Sequence, residues 1–171
     1  MINQKIILAF IIGIMLYSCD QNKQISSLNK NDWSKRKYSN TLPDSITKGT
    51  SYLSVYSEIY SQTESKKHDL VVTASIRNTN INDTIFIDNA KYFNTKGELI
   101  RTYFDKTIYV APLETIEIII DETDNLGGSG ANFLFDWKIK NQTHEPFFEA
   151  VMISTYGQQG LSFTTQGKRI K

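Results

Sequence analysis

The chain has 171 residues, 40% hydrophobic and 22% charged, which is enough for one domain with a sizeable core and short for two. Its 19 Lys and Arg stand against 18 Asp and Glu. There is thus no basic excess for nucleic acid and no acidic excess for a solvating tail. A single Cys excludes an intrachain disulfide and any cysteine-paired zinc site.

The first segment reads as an export signal, residues 1–18. Lys5 supplies a short positive start, and Ile6 to Tyr17 form an apolar run of twelve residues. A membrane-spanning helix needs about 20, so the run has the length of a signal-peptide core instead. It closes on Leu16-Tyr17-Ser18-Cys19, which resembles the bacterial lipobox. That resemblance implies cleavage before Cys19 and acylation of its thiol and new amino group. Several acyl chains on one residue hold a protein firmly where one binds only marginally. The expected location is therefore the bacterial cell envelope, lipid-anchored to a membrane, with Asp20 leaving the choice of membrane open.

Residues 19–49 read as a disordered polar tether, rich in Asn, Ser, Lys and Gln and without apolar periodicity. Lys35-Arg36-Lys37 lies between Trp33 and Tyr38 and reads as a solvated stretch of that linker, with a patch for anionic lipid or another envelope polymer as the alternative. Residues 50–171 are expected to form the folded domain. There, runs alternate with the period of two of a half-buried strand. Leu53, Val55 and Ile59 make the first inward set, and Leu70, Val72, Ala74 and Ile76 the second. Ile116, Ile118 and Ile120 make a third, and Phe133, Phe135, Trp137 and Ile139 a fourth. The run from Thr84 to Phe93 changes phase near Asp88-Asn89, which predicts a bulge. Phe147 to Ile153 is apolar on both faces apart from Glu149, which predicts a central strand, and Leu161 to Thr165 predicts a last short one. Turn-forming clusters at Asn78 to Asn80, Asn94 to Gly97, Asp124 to Gly130 and Gly157 to Gly160 separate them. The predicted fold is all-β, an antiparallel β-sandwich of eight or nine strands. Its topology is expected to be immunoglobulin-like without the disulfide, with a small barrel as the alternative.

Two features carry candidate chemistry. The loop from Asp121 to Asn132 crowds Asp121, Glu122 and Asp124 beside Gly127-Gly128-Ser129-Gly130 and Asn132. Oxygen-rich loops suit Ca²⁺, which makes this a candidate cation or ligand loop. The alternative is a glycine-rich crossover between sheets with solvated acids. Ser129 lacks the second glycine and the following helix of a nucleophile elbow. Glu149 interrupts an apolar strand. If its face is core, it is a buried carboxylate and a candidate general acid. His68 and His144 have no metal-ligand spacing.

Val55-Tyr56-Ser57-Glu58-Ile59-Tyr60, Ala74-Ser75-Ile76-Arg77-Asn78-Thr79, Gly127-Gly128-Ser129-Gly130-Ala131-Asn132-Phe133, Glu145-Pro146, Glu149-Ala150-Val151-Met152 and Gln158-Gln159-Gly160 resemble a bacterial family known as domain of unknown function 3124. The resemblance covers about Tyr52 to Gly167. It implies an exported protein of unassigned role and supplies no catalytic residues. The expectation is thus a non-catalytic binding or assembly module that reaches the membrane through Cys19. Its partner would be an envelope protein or glycan and not nucleic acid, and it would need no cofactor. A carboxylate-dependent hydrolase of an envelope polymer, working through Glu149, is the alternative. Intact-mass measurement of the membrane fraction should find a mature chain that starts at an acylated Cys19. A free thiol, or a different first residue, refutes the anchor. Cys19→Ala should leave the chain unprocessed or released.

Overall fold

The computed structural model describes residues 32–42, 45–155 and 160–171. The export signal and Cys19 lie outside the described residues. Among those described, twelve strands form an open two-sheet sandwich with a projecting hairpin. The first sheet holds β1 (Ile46–Val55), β5 (Ile85–Phe93), β6 (Leu99–Phe104), β9 (Ala131–Lys140) and β12 (Lys168–Arg169). Its order is β12-β1-β9-β5-β6, and β7 (Ile108–Val110) pairs with β5. The second sheet holds β4 (Val71–Arg77), β8 (Thr115–Ile120), β10 (Phe147–Ser154) and β11 (Leu161–Gln166) in the order β11-β10-β4-β8. β2 (Glu58–Ser61) and β3 (Thr63–Asp69) form the hairpin. Neighbouring strands are antiparallel and the sheets do not close into a barrel. The strands beyond the expected eight or nine are short pieces, β7 and β12, together with the exposed hairpin.

The alternation read from the sequence is the alternation that packs. Leu53 and Val55, Leu70 to Ile76, Ile116 to Ile120, and Phe133 to Ile139 all bury their inward members between the sheets. The first run, however, breaks after Val55, where the chain leaves the sheet and Ile59 joins the hairpin instead. The phase change near Asp88 is a bulge, with the β5–β9 register shifting between Ile87 and Asn89. The core centres on β9, which pairs with β1 on one side and β5 on the other. Its inward rings stack across the sandwich. Phe133 lies parallel to Phe135, with ring centroids 5.4 Å apart, and Phe135 lies parallel to Phe148 of the second sheet at 4.4 Å. Trp137 is accommodated because Gly49 sits opposite it. A Cβ on Gly49 would fall 2.3 Å from the indole.

The boundary of the domain differs from the expectation. β1 begins at Ile46, and Ile46 to Gly49 pair with Lys140 to Trp137. Residues 32–38 also dock on the sandwich. Trp33 packs on Phe104 with ring centroids 4.9 Å apart, and Tyr38 on Phe86 at 4.6 Å. Tyr38 N–H donates to the Thr107 carbonyl at 2.8 Å, and Arg36 pairs with Glu114 at 2.7 Å. The Arg36 hydrogen bond is the largest influence holding the Glu114 carboxyl below its ordinary range, outweighing partial burial. Residues 32–38 thus belong with the sandwich, because two aromatic rings and one ion pair suffice to seat a segment that has no strand periodicity.

The turns gather at two poles. One carries the β2–β3 hairpin, the 94–98 turn and the crossover from β8 to β9. The other carries the 78–84, 111–114 and 141–146 turns and the docked segment. At this second pole Asn78 is buried and ties the turns together. Its Nδ2 donates to the carbonyls of Asp83, Val110 and Ala111 at 2.7, 3.0 and 3.0 Å. A chain shortened to start at Thr50 loses the Ile46–Gly49 ladder. Each lost hydrogen bond is worth about 1 kcal/mol, so it should melt roughly 5–10 °C below one that starts at Ser45. Equal melting of the two by circular dichroism refutes the boundary at β1.

Candidate functional site

The candidate loop lies at the crossover pole, where the chain passes from the edge strand β8 of the second sheet to β9 of the first. Asp121 closes its start. Its Oδ1 accepts from Thr123 N–H at 3.0 Å and from the Thr123 hydroxyl at 2.9 Å. Glu122 is exposed in the same turn. Asp124 turns inward, its side chain fully buried, and meets Arg101 of β6 at 3.0 Å. Arg101 also donates to the Tyr103 hydroxyl at 3.0 Å. Burial works against the Arg101 charge, but Tyr103 and Asp124 outweigh it and raise the guanidinium above its ordinary value. Burial pushes the phenols of Tyr92 and Tyr103 up as well. Neither reading of the acids therefore holds for Asp124. It is not solvated, and the cation beside it belongs to the chain. Asn132 lies on β9 between Ser54 and Phe93, on the outward face of the sheet, so it does not converge with Asp124. Among the described residues no group of three or more His, Cys, Asp or Glu could hold a metal ion.

The glycines are fastened rather than loose. Asn125–Gly130 is a 3-10 segment broken at Gly128, whose φ of 72° is left-handed. The Gly127 carbonyl accepts from Thr95 N–H and the Thr95 hydroxyl, both at 3.0 Å, and Gly130 N–H donates to that hydroxyl at 2.9 Å. The Gly128 carbonyl accepts from Ser57 N–H at 3.2 Å and the Ser57 hydroxyl at 3.3 Å. A Cβ on Gly127 would lie 1.9 Å from the Tyr92 hydroxyl oxygen. The crossover is thereby pinned to the root of the hairpin and to the 94–98 turn. Exposed Tyr60 and Leu126, together with Leu99 and Leu161, stand at this pole. A cavity of about 280 Å³ lies beside the hairpin, lined by Ile59, Tyr60, His68, Ser154 and Leu161 among others.

The other candidate stands elsewhere. Phe148, Ala150 and Met152 are the core-facing side of β10, so Glu149 points outward with Val151 and Ile153. The expectation of a core-facing carboxylate is corrected. Glu149 is half-buried on the outer sheet face, 3.4 Å from Arg77. Glu145 pairs with Arg169. Glu149 lines neither the hairpin cavity nor the cavity of about 390 Å³ over the β5 bulge. In that second cavity Asp136 accepts from Thr50 and Asn89, both at 2.6 Å. Burial raises its carboxyl, and these bonds outweigh that and hold it below its ordinary range. Sequence reasoning missed Arg101, Thr95 and Ser57. The available signal was Arg101, a charge inside the short apolar stretch Leu99–Phe104 that requires a counter-charge when buried.

The fold is that of an open, antiparallel all-β sandwich. The chain belongs to the family described as protein of unknown function (DUF3124), whose model matches residues 48–170. No curated protein matches it. The crystal structure of Thermotoga maritima 1070 is similar with a TM-score of 0.43 at 8% identity, covering 70% of this chain and 92% of that one.

Asp124→Asn leaves Arg101, only 15% exposed, without its counter-charge. Breaking a fully buried pair costs about 3–5 kcal/mol, and the residual exposure should reduce this to about 2–4 kcal/mol. Asp124→Leu with Arg101→Met should recover most of the loss. If the double variant is as unstable in urea as the sum of the singles, the pair is not the reason for the carboxylate. Gly127→Ala should cost about 1–3 kcal/mol by overpacking Tyr92.

Proposed function

We propose that the protein is an exported, lipid-anchored lipoprotein whose sandwich acts as a non-catalytic binding module of the bacterial cell envelope. The crossover pole is its contact surface, and an envelope protein or glycan is its partner. The carrying observation is the composition of that pole. Tyr60, Leu99, Leu126 and Leu161 are exposed there, on a crossover whose Gly127, Gly128 and Gly130 backbone groups are bonded to Thr95 and Ser57. Apolar side chains held out on a rigid frame suit recognition, where aromatic and aliphatic anchors supply most of the binding energy. The Asp124 carboxylate is turned inward and Glu149 is engaged by Arg77, so neither supports a catalytic role over this binding one. Lipidation rests on the apolar run that ends at Cys19.

A photo-crosslinking residue replacing Tyr60 or Leu126 in the full-length protein tests the surface in cells. Adducts of one defined mass are expected from both positions and not from Thr102 on the β6 edge. Equal labelling at Thr102, or no adduct at either pole position, overturns the assignment. Turnover of purified envelope polymer that is lost in Glu149→Gln would support the hydrolase instead.

A further inference from the structure

We infer that the opposite pole, through Ile81 and Leu113, seats directly on the bilayer that holds the anchor; this rests on the lipid anchor proposed above. Ala111-Pro112-Leu113-Glu114 is a tight turn, closed by Glu114 N–H donating to the Ala111 carbonyl at 3.1 Å. Leu113 sits in it at φ 59°, with proline before it. That is the third position of a type II turn, where the left-handed backbone favours glycine or asparagine. Here a leucine occupies it, and its side chain is not used in the core: Leu113 is 66% exposed. Ile81, on the adjoining turn, is 74% exposed. Leu113 N–H donates to the Asn80 carbonyl at 3.1 Å, so the two turns abut. Asn78 and Asn80 are buried beneath them. The Asn80 Nδ2 bonds the Asn78 Oδ1 at 2.9 Å and the His144 carbonyl at 3.0 Å. The strained conformation and the exposed apolar surface are thus both held in place by a satisfied polar network. A backbone outlier of this kind points toward function.

The chain itself says which surface the pole meets. Arg36 pairs with Glu114, the residue next to Leu113, and Lys37 bridges to Ile108. The docked segment thus reaches this pole through Arg36, while Trp33 before it packs on Phe104 at the β6 edge. Residues 20–31, twelve in all, separate Asp32 from Cys19. Twelve residues with coil scaling span about 20 Å, which would put the pole within reach of lipid held by an acylated Cys19. At the effective concentration of such a short tether, weak insertion of two aliphatic side chains is sufficient. On the same segment Lys37 is exposed, as is Lys35, which pairs with Asp32, and their charge suits anionic headgroups. This orientation directs the crossover pole away from the membrane.

The test uses the full-length lipidated protein in vesicles of phosphatidylethanolamine and phosphatidylglycerol with brominated acyl chains. Intact mass establishes acylation of Cys19 first, and flotation establishes anchoring. A tryptophan is then placed at either pole, as Leu113→Trp or Leu126→Trp, with Ile81→Trp as the second probe of the membrane pole. The emission added at Leu113 or Ile81 should be quenched several-fold more than that added at Leu126. Equal quenching at the two poles of an anchored protein overturns the docking and leaves the anchor standing. An unacylated chain overturns both. Leu113→Gly should raise the melting temperature, because it removes the strain. In anchored protein carrying Ile81→Trp, it should also reduce the quenching, two opposite changes that a purely structural leucine would not give.

Discussion

The inward row of β9 is the constraint on which the sandwich depends. Phe133, Phe135 and Trp137 occupy successive inward positions of a strand that pairs on both sides. Their rings set what each neighbour can carry. Opposite Trp137 only Gly49 leaves room for the indole, and two residues on, Ser51 accepts its Nε1–H at 2.9 Å. Arg169 covers the same ring at 5.2 Å from its centroid. On the other side Tyr92 stacks on Phe133 at 4.9 Å. Through Phe135 and Phe148 the stack continues into the second sheet. A one-residue slip of β1 would put Lys48 or Thr50 against the indole and turn the row of inward side chains out to water.

Sheet packing leaves the two poles to be closed by polar groups, and the molecule closes them differently. At one end Asn78 and Asn80 satisfy backbone carbonyls of several turns, neutral bonds that carry no net charge. At the other, Asp124 and Arg101 bring full charges inside, which costs desolvation unless the pair is complete. Tyr103 completes the shell on the arginine side. In both cases the buried polar knot frees the residues outside it from structural duty. Leucine and isoleucine side chains can then remain exposed on turns, and Tyr60 on the hairpin.

Much of this was legible in the sequence because it is local. Alternation of inward residues, the phase slip at Asp88, the turn clusters and the all-β class follow from the two-residue period of the strand, and apart from Ile59, which leaves the first run for the hairpin, these runs pack as their period requires. The crossover nature of Asp121 to Asn132 was also visible in its glycines. The family match over residues 48–170 agrees with where that pattern begins.

Other features were decided only by tertiary structure. β10 is apolar on both faces, so periodicity cannot say whether Phe147, Glu149 and Val151 or Phe148, Ala150 and Met152 face the core. The stacking of Phe148 on Phe135 decides it and turns Glu149 outward. Asp124 meets Arg101, 23 residues away, across the edge between sheets, and no local spacing encodes that meeting. Trp33 and Tyr38 dock as single rings without a repeating pattern. The sequence by itself determined which residues alternate and where the chain turns, since those are properties of neighbouring residues. Which face is buried, which carboxylate finds an arginine and which residues before β1 dock on the sandwich depend on contacts between segments far apart in the chain, and these exist only once the two sheets have packed.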